Sequence, residues 1–339
     1  MIRTDKILLK HGSGGKSMAT LVHEIFMRYF DNSILSEKTD AARIDVPNQK
    51  LVFTTDAFVV DPIFFPGGDI GKLAVCGTVN DLAVTGAKPL FLSASFIIEE
   101  GFPVTDLIRV VKSMAKASAE AGVKIVAGDT KVVHKGKCDK IFISTSGIGT
   151  IGLKQIPIAT GKRMKPGDHI IVTGYVGDHG TAVMAAREGF NMQIRVRSDC
   201  APLNHMIQRL LKAGIDITFM RDATRGGVAT VLNEAVEGKS LGISVNEQKV
   251  PCRSAVRGFC ELLGFDPLYI ANEGKAVIIV RPGDALKALH VLRKDQYGRL
   301  AADIGTITRN NPGRVILQTQ TGSQRYLDML SGDQLPRIC

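Results

Sequence analysis

The chain ends on a cysteine. In Leu335-Pro336-Arg337-Ile338-Cys339 the thiol and the terminal carboxylate share one residue. The residues before it, Ser331-Gly332-Asp333-Gln334, carry no apolar period that would dock them. Nine extended residues reach roughly 30 Å, enough to cross a domain or leave it. Such a thiol is either a free cysteine that happens to come last or a swinging carrier. A prenylation box is excluded, because there the cysteine stands fourth from the end.

Three aspartates could hold a cation. Asp56 follows Val52-Phe53-Thr54-Thr55, and Asp129 follows Val126-Ala127-Gly128. Asp81 stands with Asn80 inside an expected helix, where both residue types are unfavourable. Each alone reads equally as a turn or a cap. Together, carboxylates at the strand ends of an open sheet share one crevice and repel unless a cation neutralises them. That suits magnesium bridging phosphates, with Asp56, Asp81 and Asp129 as ligands.

Phosphates need donors as well. His11-Gly12-Ser13-Gly14-Gly15-Lys16 precedes an amphipathic stretch from Ser17 to Phe30. Glycines without a β-carbon admit an anion to backbone amides at a helix start, although the spacing is not that of a Walker loop and an ordinary flexible loop fits equally. Arg221-Asp222-Ala223-Thr224-Arg225-Gly226-Gly227 forms a second candidate anion cradle before a helix. Lys131, in Gly128-Asp129-Thr130-Lys131, and Glu273, in Ala271-Asn272-Glu273-Gly274-Lys275, could move a proton if burial tuned them, or form surface ion pairs. In Val176-Gly177-Asp178-His179-Gly180 the histidine reads as a helix-start residue rather than a base.

The elements that must position these groups alternate between strand and helix. Strands are expected at Leu51 to Thr55, Leu90 to Glu99, Lys124 to Ala127 and Ile141 to Gly149, and helices at Asp69 to Gly86 and Val104 to Ala121, with Asp69 as N-cap and Gly86 and Gly122 as stops. The Lys-, Pro- and Gly-rich joint near Lys162 to Gly167 divides the chain before a second series opening at Ile170. That series has helices near Thr181 to Glu188, Leu203 to Ala213 and Gly227 to Val236, and strands near Ile243, Val277 and Ile304. The expected class is α/β (α+β), with mixed sheets flanked by helices in two domains. The divisions are an arm at 1–40, domains at 41–160 and 161–330, and a mobile tail at 331–339.

Composition bounds the function. The 339 residues are 45% hydrophobic and 22% charged, enough for substantial cores. A net charge of +10 would suit nucleic acid, but the basic residues are scattered, aromatics make up 6% and tryptophan is absent, so stacking on bases is disfavoured. An anionic small substrate or an acidic protein partner fits better than nucleic acid, and a plain solvated basic surface fits ahead of either. The six cysteines form no C-x-x-C pair or zinc spacing, which points to a reducing, cytoplasmic setting. No signal-type segment and no run of eighteen apolar residues is present, so no membrane is expected.

At these motifs the sequence resembles the hydrogenase maturation factor HypE family, within the ATP-binding superfamily of aminoimidazole ribonucleotide synthetase (PurM), selenophosphate synthetase and thiamine-phosphate kinase. The resemblance covers nearly the whole chain: His11 to Gly15, Thr54-Thr55-Asp56, Phe64-Phe65-Pro66-Gly67-Gly68, Asn80-Asp81, Gly128 to Lys131, Arg221 to Gly227, Ala271 to Lys275 and the terminal Pro336-Arg337-Ile338-Cys339. The ending is specific; the interior motifs belong to the whole superfamily. The resemblance implies a PurM-like fold with a flexible C-terminal tail and a homodimer paired through the amino-terminal domains. It implies ATP with magnesium on Asp56, Asp81 and Asp129. His11 to Lys16, Asn80, Thr130, Asp222 and Arg225 are nucleotide-site candidates, and Lys131 and Glu273 assist proton transfer. A carbamoyltransferase, HypF, would load Cys339; dehydration would give a thiocyanate; and the cyanide would pass to the iron of a HypC-HypD scaffold for a nickel-iron hydrogenase. Within the superfamily the alternative is a selenophosphate synthetase or small-molecule kinase. The former would carry a reactive cysteine near the glycine loop, whereas the first cysteine here is Cys76. An alternative of another class is a non-catalytic ATP-binding module that docks partners through its tail.

Overall fold

The computed structural model describes residues 5–8, 11, 20–33, 50–187, 195–329 and 337–339. Gly12 to Lys16 and 331–336 lie outside the described residues. The first half opens with a π-helical turn at Val22–Met27 that runs into Arg28–Phe30 (together α1). It continues through β1 (Lys50–Phe58), the short pair β2 (Phe64–Phe65) and β3 (Gly68–Asp69), α2 (Ile70–Val84), β4 (Lys88–Glu99), α3 (Val104–Ala121), β5 (Lys124–Val133) and β6 (Ile141–Ile151). The second half carries β7 (His169–Val172), α4 (Asp178–Ala185), α5 (Asn204–Lys212), β8 (Ile217–Asp222), α6 (Gly227–Val236), β9 (Gly242–Asn246), α7 (Ser254–Leu263), β10 (Ala276–Val280), α8 (Ala285–Arg293), β11 (Ala302–Thr308), β12 (Val315–Gln318) and β13 (Gln324–Tyr326).

The first sheet has the order β1-β6-β4-β5. Its strands alternate, with Leu92, Ala94, Phe96 and Ile98 of β4 buried beneath the helices while Ile97 is exposed. The second sheet has the order β13-β12-β9-β11-β7-β10-β8. Its strand β10, between β7 and the edge strand β8, is buried at every position, as its unbroken Ala276-Val277-Ile278-Ile279-Val280 run requires of a strand covered on both faces.

Between the two halves sits α2, and this placement builds the site. Asp69 caps the helix by accepting from the amides of Gly71 and Lys72. Almost every side chain from Ile70 to Val84 is buried, as expected for a helix apolar on all faces. Its Leu73, Val75 and Val79 join the core under the first sheet, whereas Ala83 and Val84 pack with Leu203, Ile207 and Ile278 of the second half. Each such aliphatic contributes about 1.5–3 kcal/mol through burial. The Val104–Ala121 helix ends at Gly122 in the left-handed region (φ 67°), as its sequence predicts. β8, β12, β13, α7 and α8 are absent from the elements read above from the sequence, although Pro282-Gly283-Asp284 before α8, Gly264 after α7 and Asn311-Pro312-Gly313 before β12 punctuate those elements.

Candidate active site

Asp56 and Asp81 come from adjacent elements. On β1, Asp56 points inward, where its Oδ2 accepts from the Thr78 hydroxyl of α2 at 2.7 Å. One turn further along α2, Asp81 accepts from Thr54 of β1 at 3.0 Å. Two threonines thus fix two carboxylates face to face across the strand–helix seam. Asp222, the last residue of β8, completes the group from the second half. Burial followed by the charge of Asp56 pushes Asp81 up to about 6. Burial, then Asp81, pushes Asp222 up to about 7. Burial also raises Asp56, against the hydrogen bond from Thr78 and the charge of Arg225. Carboxylates that resist ionisation because of one another are poised for a cation.

Among the described residues no three His, Cys, Asp or Glu side chains form a ready-made metal cage. A magnesium ion needs no such cage, since it completes its shell with water and substrate phosphates.

Glu273 lies in the segment joining α7 to β10, and this segment is tied down on all sides. Asn80 of α2 donates to the Ala201 carbonyl at 3.0 Å and accepts from the Leu203 amide at 2.8 Å, with a longer contact to the Glu273 carbonyl. Asn272 donates to the Ala223 carbonyl at 2.9 Å and accepts from the Gly177 amide at 2.8 Å. Glu273 is 3% exposed, and its Oε1 has no hydrogen-bond partner among the described residues. Burial, with the neighbouring Cys200, Asp222, Asp199 and Asp56, holds its carboxyl well above the usual range.

The terminal cysteine sits in the same interior. Arg225 Nε donates to Cys339 Sγ at 2.9 Å. Arg225 stands at the start of α6, where Gly226 and Gly227 both adopt positive φ; a β-carbon on Gly227 would meet the Leu268 carbonyl at 2.5 Å. Glycine is therefore required for the turn that aims the arginine. Burial, then Glu273, pushes the Cys339 thiol up to about 11, against the pull of Arg225.

Main-chain contacts hold the final tripeptide. The amides of Val59 and Asp61 donate to the carbonyls of Cys339 (3.1 Å) and Arg337 (3.2 Å). Arg337 Nε donates to the Val59 carbonyl at 3.0 Å and its Nη1 to Asp139 at 2.5 Å. His179 Nε2 donates to the Ile338 carbonyl at 2.8 Å, while its Nδ1 lies 2.8 Å from Ser198 Oγ. That carbonyl fixes the tautomer: Nε2 carries the hydrogen and Nδ1 accepts from the Ser198 hydroxyl. Burial keeps this ring neutral by lowering its pKa. His179 does begin α4 as read from sequence, but its contact with the terminus spans 159 residues and leaves no local signal.

Asp129 and Lys131 lie elsewhere in this chain. Register runs from Asp56 to Thr145, Ala94 and Gly128 across the sheet on its inner face. Asp129, one residue on, therefore shares the outer face with Ser95, and Lys131 with Ile97, three strands from Asp56. The two pair with each other at 2.9 Å, half-exposed. The buried Thr130 faces inward. His11 is buried, its Nδ1 accepting from the Leu8 amide. Sequence reasoning placed Asp222 with the anion cradle and missed its partnership with Asp81, which only the packing of α2 on β8 creates.

Two halves joined through a buried helix, with carboxylates from both gathered at its side, define a two-domain protein of the aminoimidazole ribonucleotide synthetase class. The models named AIR synthase related protein match here, the N-terminal domain over residues 38–151 and the C-terminal domain over residues 165–318. Carbamoyl dehydratase HypE of Azotobacter vinelandii is 44% identical over 340 residues, covering 100% of this chain and 98% of the relative. A crystal structure of hydrogenase maturation protein HypE in complex with ATP is 48% identical, with a TM-score of 0.93 over 98% of this chain and 99% of that one. A chain of a HypE-HypF complex is 49% identical, with a TM-score of 0.79 over 91% and 99%. The chain belongs to the HypE family.

Proposed function

We propose that this chain is an ATP-dependent carbamoyl dehydratase that works on its own terminus: the S-carbamoyl group of Cys339 is converted to a thiocyanate, which supplies cyanide to the iron of a nickel-iron hydrogenase. The single observation that carries this reading is the position of Cys339 Sγ, held by Arg225 at 2.9 Å inside the carboxylate-lined interior that also contains Glu273.

An amide oxygen leaves poorly, and phosphorylation turns it into a good leaving group. The carbamoyl oxygen attacks the γ-phosphorus of ATP, releasing ADP. The nitrogen then gives up its two protons while the C–O bond breaks, so that thioester-like S–CO–NH2 and ATP become S–C≡N, ADP, inorganic phosphate and one released proton. Asp56, Asp81 and Asp222 would hold magnesium, which when bound screens the phosphate charge. Arg225 stands beside the sulfur, where it stabilises negative charge developing on the attached group. Glu273 Oε1, buried and unpartnered, is the acceptor for an N–H proton, and its raised proton affinity makes it the stronger base once ionised. Burial of the tail keeps water from the activated intermediate.

A thiol pushed up to about 11 is a poor nucleophile at neutral pH. The tail is therefore loaded outside the site by a HypF-type carbamoyltransferase, docks for dehydration, and leaves to deliver cyanide to a HypC-HypD-type scaffold. Six free cysteines suit a cytoplasmic setting, and among the described residues no helix is long and apolar enough to cross a membrane.

The outer face of the first sheet supports a homodimer. Phe53 (66% exposed), Leu51 (56%) and Ile97 (44%) lie on it beside Asp129 and Lys131, and β1 is an open edge. A second copy pairing there would cover the apolar face and set its Asp129 and Lys131 along the partner's β1, the strand whose other face carries Asp56. The test is ATP consumption by the carbamoylated protein. Turnover that depends on the loaded tail supports the reading; a kinase-like turnover independent of Cys339 contradicts it.

A further inference from the structure

A cleft lies beside the Glu273 segment, its wall residue Asp199 accepting from the Glu273 amide and its Ser198 meeting His179. It encloses about 570 Å³, and its lining shares no residue with Asp56, Asp81, Asp222, Arg225 and Cys339. Five cationic side chains reach it, Lys72, Arg197, Arg253, Lys275 and Arg299, against the two carboxylates of Asp178 and Asp199.

Both carboxylates are already committed. Asp178, with 5% of its side chain exposed, takes Arg253 through contacts of 3.0 and 3.1 Å, and the same guanidinium lies over the Tyr175 ring at 4.2 Å. Asp199, 3% exposed, accepts from the amides of Glu273 and Gly274 and pairs with the buried Lys275 at 3.4 Å. Lys72, Arg197 and Arg299 pair with no carboxylate among the described residues. Lys72 Nζ donates to the Gly67 carbonyl at 3.3 Å. Gly174 leaves room for the buried lysine, because a β-carbon there would meet Lys275 Cε at 3.0 Å. The cleft thus keeps an excess of positive charge over partly buried walls, where an anion is held more strongly than at an open surface.

We propose that this cleft binds a phosphate-bearing small molecule, with the oxyanion held between Lys72, Arg197 and Arg299 over Lys275. Arginine forks and a lysine give the paired donors a phosphate needs. The volume falls in the range of small-molecule sites and exceeds what free phosphate fills, which favours a phosphoester over the bare ion. The seated organic group lies along Tyr175 and Tyr297, the rings of the lining. This places part of the basic excess of the chain at a defined site.

The experiment is calorimetric titration of the full chain, in sulfate-free buffer, with inorganic phosphate and separately with AMP, both without metal. One ion per chain is expected to bind, AMP more tightly than phosphate; equal affinities would identify the free oxyanion as the ligand. Arg197 and Arg299 are exposed, so the double variant Arg197→Ala, Arg299→Ala is expected to fold, which its unchanged melting temperature checks, and to lose at least tenfold in affinity. Asp222→Asn, in the other site, should bind as the parent does. Undetectable binding to the parent, unchanged affinity in the double arginine variant, or loss caused instead by Asp222→Asn would each overturn the proposal.

Discussion

Arg225 and Cys339 are joined by a contact of 2.9 Å between Nε and Sγ, from the start of one helix to the last residue of the chain. The arginine lowers the thiol pKa, yet burial and Glu273 raise it more, so the docked sulfur stays protonated. Docking and loading are consequently separate states of the tail. Cys339→Ala should retain ATP affinity and the melting profile while losing turnover, because only the carrier atom is removed. Residual dehydration by that variant, measured as cyanide release, would contradict the assignment.

Arg337 controls the docked state. It links the terminus to Val59 and Asp139; the bond from the charged guanidinium to the Val59 carbonyl contributes about 1.5–3 kcal/mol, and the half-exposed pair with Asp139 adds about 0–1 kcal/mol. Arg337→Ala should free the tail and speed alkylation of Cys339 by iodoacetamide by about tenfold or more, since 1.4 kcal/mol is a factor of ten. An unchanged alkylation rate would mean that Arg337 does not hold it.

Asp222 makes stability depend on pH. Its carboxyl rises from 3.8 to about 7 on folding. In that window the folded chain holds a proton that the unfolded chain has released, so stability present below the unfolded value is lost as pH rises through the folded one. Asp222→Asn removes this loss. Without metal or nucleotide the variant should melt at least ~2 °C above the parent near pH 8, equivalent to roughly 1 kcal/mol, with a smaller difference near pH 5. Calorimetric melting at the two pH values decides it; a variant that melts lower at both would show Asp222 stabilising the fold as an ion.

Asp81 should matter for the opposite reason once a cation is present. Asp81→Asn is expected to weaken magnesium-ATP binding about tenfold, a loss of ~1.4 kcal/mol, because a neutral amide cannot balance the ion. Unchanged calorimetric affinity would remove Asp81 from the metal site.

Lys131 and Glu273 report on the second copy. Each of Lys131→Ala and Glu273→Gln should slow conversion of a loaded tail. Mixed in equal amounts and allowed to exchange subunits, the two should recover about a quarter of parental activity, since half of the dimers are then mixed and one of their two sites holds both native groups. No recovery would place both residues in one subunit's site or outside it.

Local chemistry made much of the frame legible before packing was considered. The Val104–Ala121 helix and its Gly122 stop are written in apolar spacing and one glycine, and the burial of β10 in an unbroken aliphatic run. Asp81 stands out in the sequence because a mid-helix aspartate has no helical reason to be there, whereas Asp56 and Asp129 read as strand ends and both lie within their strands, Lys50–Phe58 and Lys124–Val133. Asp129 was grouped with them by strand-end position alone, and the sheet register, which sets its face, is a relation between distant strands. The docked terminus was illegible for a different reason: backbone amides, Arg337 and His179 hold it, and none of these leaves an apolar period.

The most direct measurement is intact-mass analysis of the chain after incubation with the carbamoyl donor system, before and after ATP is added. The mass should first rise by one carbamoyl group on Cys339 and then fall by one water, with ADP appearing in step. A carbamoylated chain that persists unchanged while ATP is consumed, or a water loss that needs no ATP, would contradict the account.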